Sequence, residues 1–222
     1  TKYSEIITKK NRKKIYRLAV DTIVDIQKIR HPDLSKYSLK MFIAESNLFF
    51  DWYLKNLKST EINLLKKEFN LLFKSYLSSI DIPQVLVHRD FHVDNLFYLS
   101  KSNSVKCGLI DYQDAVIGPC TYDLVSLTQD ARIDVSKQLE YELINYFLEA
   151  NLKIKREDFM LSYYLLAIQR HMKVLGIFCR LSIRDNKDQY LQHLPRVKKM
   201  LYKNLKKKKF EKFYSLLSPL LN

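Results

Sequence analysis

Glycine is nearly missing from this 222-residue chain, which holds only Gly108, Gly118 and Gly176. A loop that cradles phosphates needs glycine so that backbone N–H groups can approach the oxygens. Neither G-x-G-x-x-G nor G-x-x-x-x-G-K-[ST] occurs. If phosphates are handled, their cover is expected from a preceding segment or another polypeptide, and the chain begins with Thr rather than Met. Cysteine is scarce too. Cys107, Cys120 and Cys179 are odd in number and widely spaced, with no C-x-x-C pair, so reduced thiols in a cytoplasmic protein are expected. No uncharged apolar run reaches the roughly 18 residues of a membrane span. The opening T-K-Y-S-E-I-I-T-K-K has no apolar signal region. Acids are outnumbered 24 to 38, giving a net charge of +14. Most of the excess is lysine scattered through amphipathic segments, and the one dense block is Lys206–Lys209. A solvated face is therefore expected rather than a nucleic-acid surface, although the excess suits an anionic nucleotide or sugar acid.

What is present centres on Val85 to Asp111. An apolar run, Val85–Val87, delivers His88, Arg89 and Asp90. Asn95 follows five residues after Asp90, and a second apolar run, Val105–Ile110, ends on Asp111. An Asp, an Asn five residues on and a later strand-end Asp form the catalytic segment of the kinase fold. There the first Asp accepts the substrate hydroxyl proton, and the other two hold Mg²⁺ against the phosphates of ATP. Mg²⁺ is a hard cation that wants oxygen donors, which these side chains supply.

Other residues have two readings each. His88 is expected to fix the Asp90 loop through backbone carbonyls, and His92 either does the same or touches substrate. Arg89 is open between phosphate contact and surface, and Asp114 between substrate contact and solvated loop. Asp123, at the start of a helix, is expected to accept backbone N–H groups near the loop. Glu45 and Asp51 are either exposed acids or carboxylates for sugar hydroxyls. Gln169, Lys173, Gly176 and Arg180 share a helical stripe that faces a cleft or solvent, with Arg170 turned about 100° away.

Helical spacing predicts helices over Lys13–Arg30, stopped by His31-Pro32, over Leu39–Lys55, and from Ser59 or Thr60, as cap, to about Ile80. It predicts further helices over Tyr122–Thr128, from Asp134, as cap, to about Ala150, and from Glu157 or Asp158 to Arg180 with a break at Gly176. Two or three shorter ones follow between Gln189 and Leu217. Strands are expected at Phe97–Leu99 and Val105–Ile110 around the turn K-S-N-S, with Gly118-Pro119 in a loop. The fold class is α+β and mostly helical, one domain over residues 1–222, with a small β-hairpin insert carrying the catalytic loop.

At these residues the chain resembles the aminoglycoside phosphotransferase family, which shares the protein-kinase-like fold and has choline kinases as relatives. H-R-D-F-H-V-D-N is similar to its catalytic loop and I-D-Y-Q-D-A to its metal-binding strand end. G-L-I-D-Y-Q-D-A-V-I-G-P-C-T-Y-D-L-V-S-L and Q-R-H-M-K-V-L-G-I-F-C-R-L-S-I-R-D look like the branch that phosphorylates the anomeric hydroxyl of N-acetylmuramate and N-acetylglucosamine in cell-wall recycling. F-I-A-E-S-N-L-F-F-D-W-Y-L is similar to that branch's sugar-side helix. The resemblance implies a cytoplasmic sugar kinase with ATP as co-substrate and no membrane partner. It implies Asp90 as base, Asn95 and Asp111 as Mg²⁺ ligands, and Glu45 and Asp51 as candidate sugar contacts. His92, Asp114, Arg170 and Lys173 are further substrate candidates on the reading of the residues alone. The family's N-terminal β-rich lobe, with its covering loop and phosphate-pairing lysine, has no counterpart here. The resemblance is therefore to the C-terminal lobe, and the isolated chain is expected to be weak or inactive. Alternatives are an aminoglycoside, choline or other small-molecule kinase of this fold, or a non-catalytic remnant that binds a sugar or a protein.

Overall fold

Amphipathic helices carry most of the chain in the computed structural model, which describes residues 1–30, 33–55, 57–101, 104–151 and 153–221. In chain order the elements are α1 (Tyr3–Ile6), α2 (Arg12–Ile26), α3 (Leu39–Leu48), α4 (Ser59–Ser78), β1 (Gln84–Val87), β2 (Leu96–Lys101), β3 (Ser104–Leu109) and β4 (Val116–Pro119). Then come α5 (Tyr122–Thr128), α6 (Lys137–Glu149), α7 (Arg156–Asp185), α8 (Leu194–Leu205) and α9 (Glu211–Leu217). Two compact units result, each built from separate stretches. Unit 1 is Thr1–Tyr37 with Ile82–Met160, and unit 2 is Ser38–Asp81 with Leu161–Asn222.

In unit 1, β1 pairs antiparallel with β4 and β2 with β3, so there are two small sheets among the described residues. The segment from residue 88 to 95 joins β1 of one sheet to β2 of the other. Ile15, Tyr16, Ala19, Val20 and Ile23 form the buried stripe of α2, which packs on α5, α6 and β3. Every residue of α5 is buried. Phe147 and Phe159 close the other end of this core at a ring separation of 5.6 Å.

Unit 2 is held by aromatic packing. Phe42, Phe69 and Phe73 are fully buried from α3 and α4, and Phe213 of α9 meets Phe69 edge-on at 5.6 Å.

Several boundaries depart from expectation for local reasons. The first helix stops at Ile26 rather than Arg30, because Lys28 N–H turns back to the Asp25 carbonyl and Ile29 N–H to that of Ile26. His31-Pro32, the expected stop signal, lies outside the described residues, as do Ser102 and Asn103 of the K-S-N-S turn. The second helix changes to a π-helical turn over Phe49–Tyr53, which keeps Phe49 and Phe50 both buried. Neither Ser59 nor Thr60 caps α4; the N-cap position is Lys58, whose N–H donates to Glu61. Ser136, not Asp134, caps α6 by accepting Leu139 N–H. Gly118-Pro119 belongs to β4, because Gly118 lets Tyr37 lie on the strand: a Cβ there would stand 3.1 Å from the Tyr37 Cβ. Gly176 does not break α7. A Cβ at 176 would fall 2.2 Å from the Leu48 carbonyl carbon, so this glycine allows α7 and the end of α3 to touch backbone to side-chain position.

Candidate active site

Strand β1 runs straight into His88, and the loop that follows is pinned by its own backbone. The Asp90 carbonyl accepts the His92 N–H at 3.0 Å, and the His92 carbonyl accepts the Asn95 N–H at 2.9 Å. Asn95 also donates Nδ2 to the Asp90 carbonyl at 3.1 Å. That bond fixes the amide orientation and directs the acceptor Oδ1 elsewhere, as a cation ligand requires. Asp90 itself is half-buried.

Asp123, at the start of α5 and fully buried, takes both N–H groups that precede Asp90. Its Oδ2 accepts from His88 N at 2.7 Å and its Oδ1 from Arg89 N at 3.0 Å. Arg89 has φ 73°, a left-handed conformation rare for a side chain of its size, so the turn is held by these bonds against local preference. The Arg89 guanidinium lies 5.3 Å from the Tyr37 ring and donates to the Asp114 carbonyl at 3.0 Å. Those contacts place it in packing rather than on bare surface.

His88 is buried, and its Nε2 stands 2.9 Å from the Ile110 carbonyl, which can only accept, so Nε2 carries the proton. Ile110 N–H donates to the Asn95 carbonyl at 3.2 Å. Ile110, the residue before Asp111, is thus held by the loop through both its N–H and its carbonyl. Asp111 is exposed and has φ 61°, a second left-handed residue at the same place. Asn95 and Asp111 could hold one Mg²⁺. Among the described residues no three His, Cys, Asp or Glu side chains cluster as a metal cage. Two oxygen side chains fit Mg²⁺, which usually keeps waters and substrate phosphates in its shell.

Asp90, Asn95, Asp111, His88, His92, Asp114 and Asp123 all belong to unit 1. The remaining candidates, Glu45, Asp51, Arg170 and Lys173, belong to unit 2. Glu45 pairs with Lys173 Nζ at 3.0 Å, the two side chains only 11% and 10% exposed. Gln169 Nε2 reaches Glu45 at 3.3 Å and the Phe42 carbonyl at 3.4 Å. Asp51 pairs with Lys66 at 2.5 Å. Arg170 is buried. Asp114 is exposed, while His92 is buried within the loop. Asp130 and Arg132, which no sequence motif marks, also reach the loop: Asp130 Oδ2 accepts Val93 N–H at 3.0 Å, and Arg132 Nε pairs with Asp94. The signal was slight, an acid two residues beyond the end of a buried helix.

Residues 4–156 match the family described as "Phosphotransferase enzyme family". The chain is 34% identical over 190 residues to an N-acetylmuramate/N-acetylglucosamine kinase of Neisseria meningitidis, covering 80% of this chain and 55% of the relative. It is 34% identical over 206 residues to the Pseudomonas aeruginosa protein of the same name, covering 87% and 59%. It therefore spans little more than half the length of these curated relatives. Among solved structures, a choline/ethanolamine kinase family protein from Mesorhizobium loti superposes with a TM-score of 0.62 at 12% identity, over 94% of this chain and 68% of that one. This likeness is one of fold.

Proposed function

The chain belongs to the phosphotransferase enzyme family, and from that premise we propose that it carries the catalytic half of an ATP- and Mg²⁺-dependent sugar kinase. The acceptor in this reading is the anomeric hydroxyl of N-acetylmuramate or N-acetylglucosamine. The observation that carries it is the held loop: Asp90 half-buried, with the two N–H groups before it fixed by Asp123 and the amide of Asn95 oriented by the Asp90 carbonyl.

Asp90 orients the sugar hydroxyl and takes its proton as the oxygen bonds to the γ-phosphorus and the bond to the departing ADP oxygen breaks. A magnesium ion held by Asn95 and Asp111 would neutralise charge on the phosphates. His88 and Asn95 anchor the residue before Asp111 to the loop that carries Asp90 by gripping the Ile110 carbonyl and N–H. The glycine-poor sequence offers no backbone cradle in residues 1–222, so the phosphate cover belongs in this reading to a lobe outside them.

The pairing of Glu45 and Asp51 favours an uncharged or acidic sugar over a cationic acceptor. A pocket for an aminoglycoside or choline needs carboxylates free to meet positive charge. Here Glu45 is committed to Lys173 and Asp51 to Lys66. The test is ATP consumption by the gene's whole product and by residues 1–222, with N-acetylmuramate, N-acetylglucosamine, choline and kanamycin as parallel acceptors. Turnover with the two acetylated sugars and none with the cations is expected. Preference for kanamycin or choline would overturn the substrate assignment.

A further inference from the structure

Asp123, in the first turn of α5, and Asp130, two residues beyond its end, each hold the catalytic loop. We propose that Asp130 and Arg132 are positioning residues that hold the half of the loop carrying Asn95, as Asp123 holds the half that precedes Asp90. The proposal rests on the phosphotransfer reading of Asp90 and Asn95, but on no particular substrate.

Asp130 follows α5 by two residues and is 1% exposed. Both its oxygens are committed. Oδ2 accepts Val93 N–H at 3.0 Å, while Oδ1 accepts Arg132 N–H at 2.9 Å and lies 3.6 Å from Arg132 Nη1. Arg132 then extends Nε to Asp94 Oδ2 at 2.8 Å. Val93 and Asp94, the two residues immediately before Asn95, are therefore tied to the same pair: Val93 by its backbone, Asp94 by its side chain.

A buried carboxylate is costly unless its lone pairs are filled and its charge is met. Among the described residues, Asp130 meets both conditions through the loop N–H and Arg132, so the loop and the carboxylate stabilise each other. The geometry repeats that of Asp123, seven residues earlier, whose carboxylate accepts two N–H groups at the other end of the loop. Since α5 is wholly buried, both limbs of the loop are referenced to one rigid element.

The consequences for the two limbs differ. Asp123 fixes the approach to Asp90. The Asp130–Arg132–Asp94 arrangement fixes the residues leading into Asn95, and so the position of its Oδ1 relative to Asp111. Loosening this second tie should weaken cation binding before it weakens proton transfer. Outer partners of metal ligands commonly change affinity by about 10- to 100-fold when removed.

Arg132→Gln, on a partly exposed side chain, and Asp130→Asn, nearly isosteric, provide the test. In phosphotransfer assays the Mg²⁺ concentration for half-maximal rate should rise about tenfold or more in each, and by more than kcat falls. Arg132→Lys should restore part of the loss. An unchanged Mg²⁺ dependence, or a loss confined to kcat, would overturn the proposal. Hydrogen exchange provides a readout without catalysis. The Val93 amide in Asp130→Asn should exchange about tenfold faster or more, the loss expected for a charge-assisted hydrogen bond, while His88 and Arg89 amides keep their protection. Equal exchange at Val93 in variant and wild type would also overturn it. If the wild-type protein transfers phosphate to no acceptor, the phosphotransfer reading fails, and the exchange measurement still judges the tie.

Discussion

His171 shows how a single buried side chain makes the fold sensitive to acid. It is fully buried on α7, and burial first, then the charges of Arg170 and Lys203, push its pKa down to about 3. In the unfolded chain it titrates near 6.5. Between these values the unfolded state binds a proton that the folded state refuses, so stability rises with pH across this window. The contribution is intact above about pH 6.5 and is lost progressively as pH falls towards 3. At pH 5 this one group should cost about 2 kcal/mol relative to pH 8. Urea denaturation of wild type and His171→Gln at pH 8, 6 and 5 checks this. The variant should lose less stability on acidification, and parallel losses would exclude His171 as the cause. The side chains that carry the proposed chemistry were legible one by one, because Asp90, Asn95 and Asp111 have a fixed spacing and end apolar runs. Asp130 was not, because its role depends on an N–H group 37 residues away that no local pattern records.

Among elements, existence was easier to read than termination. The apolar stripes of α2, α4, α6 and α7 are visible at helical spacing, since burial of one face selects them. Caps were misassigned at α4 and α6, where several neighbouring side chains could serve and tertiary packing chose among them. Both glycine readings failed for one reason. Gly118 and Gly176 read as interruptions in the sequence, yet each sits inside a regular element with another chain segment pressed against it. Gly176→Ala tests that directly. Helix propensity alone would gain about 1 kcal/mol from the change. With the Cβ at 2.2 Å from the Leu48 carbonyl carbon, overpacking should instead destabilise the protein by about 3 kcal/mol. Chemical denaturation measures the sign, and a stabilised variant would contradict the close approach. The π-helical turn over Phe49–Tyr53 left no sequence signal, since it answers the packing of Phe49 and Phe50 rather than any local preference.

For the whole molecule, the division into units was hidden from the sequence. Each unit joins stretches separated by more than forty residues, and no linker composition marks the crossings. The sequence nonetheless supplied the fold family and the loop, because both are written in contiguous motifs. The central claim is that the molecule is a phosphotransferase whose proton acceptor is Asp90. It is tested most directly by the steady-state rate of ATP-dependent sugar phosphorylation by the gene's whole product and by its Asp90→Asn variant, with melting temperatures compared. The account predicts a loss of about 10²- to 10⁴-fold in kcat with an unchanged melting temperature. Turnover equal to that of the wild type would contradict it.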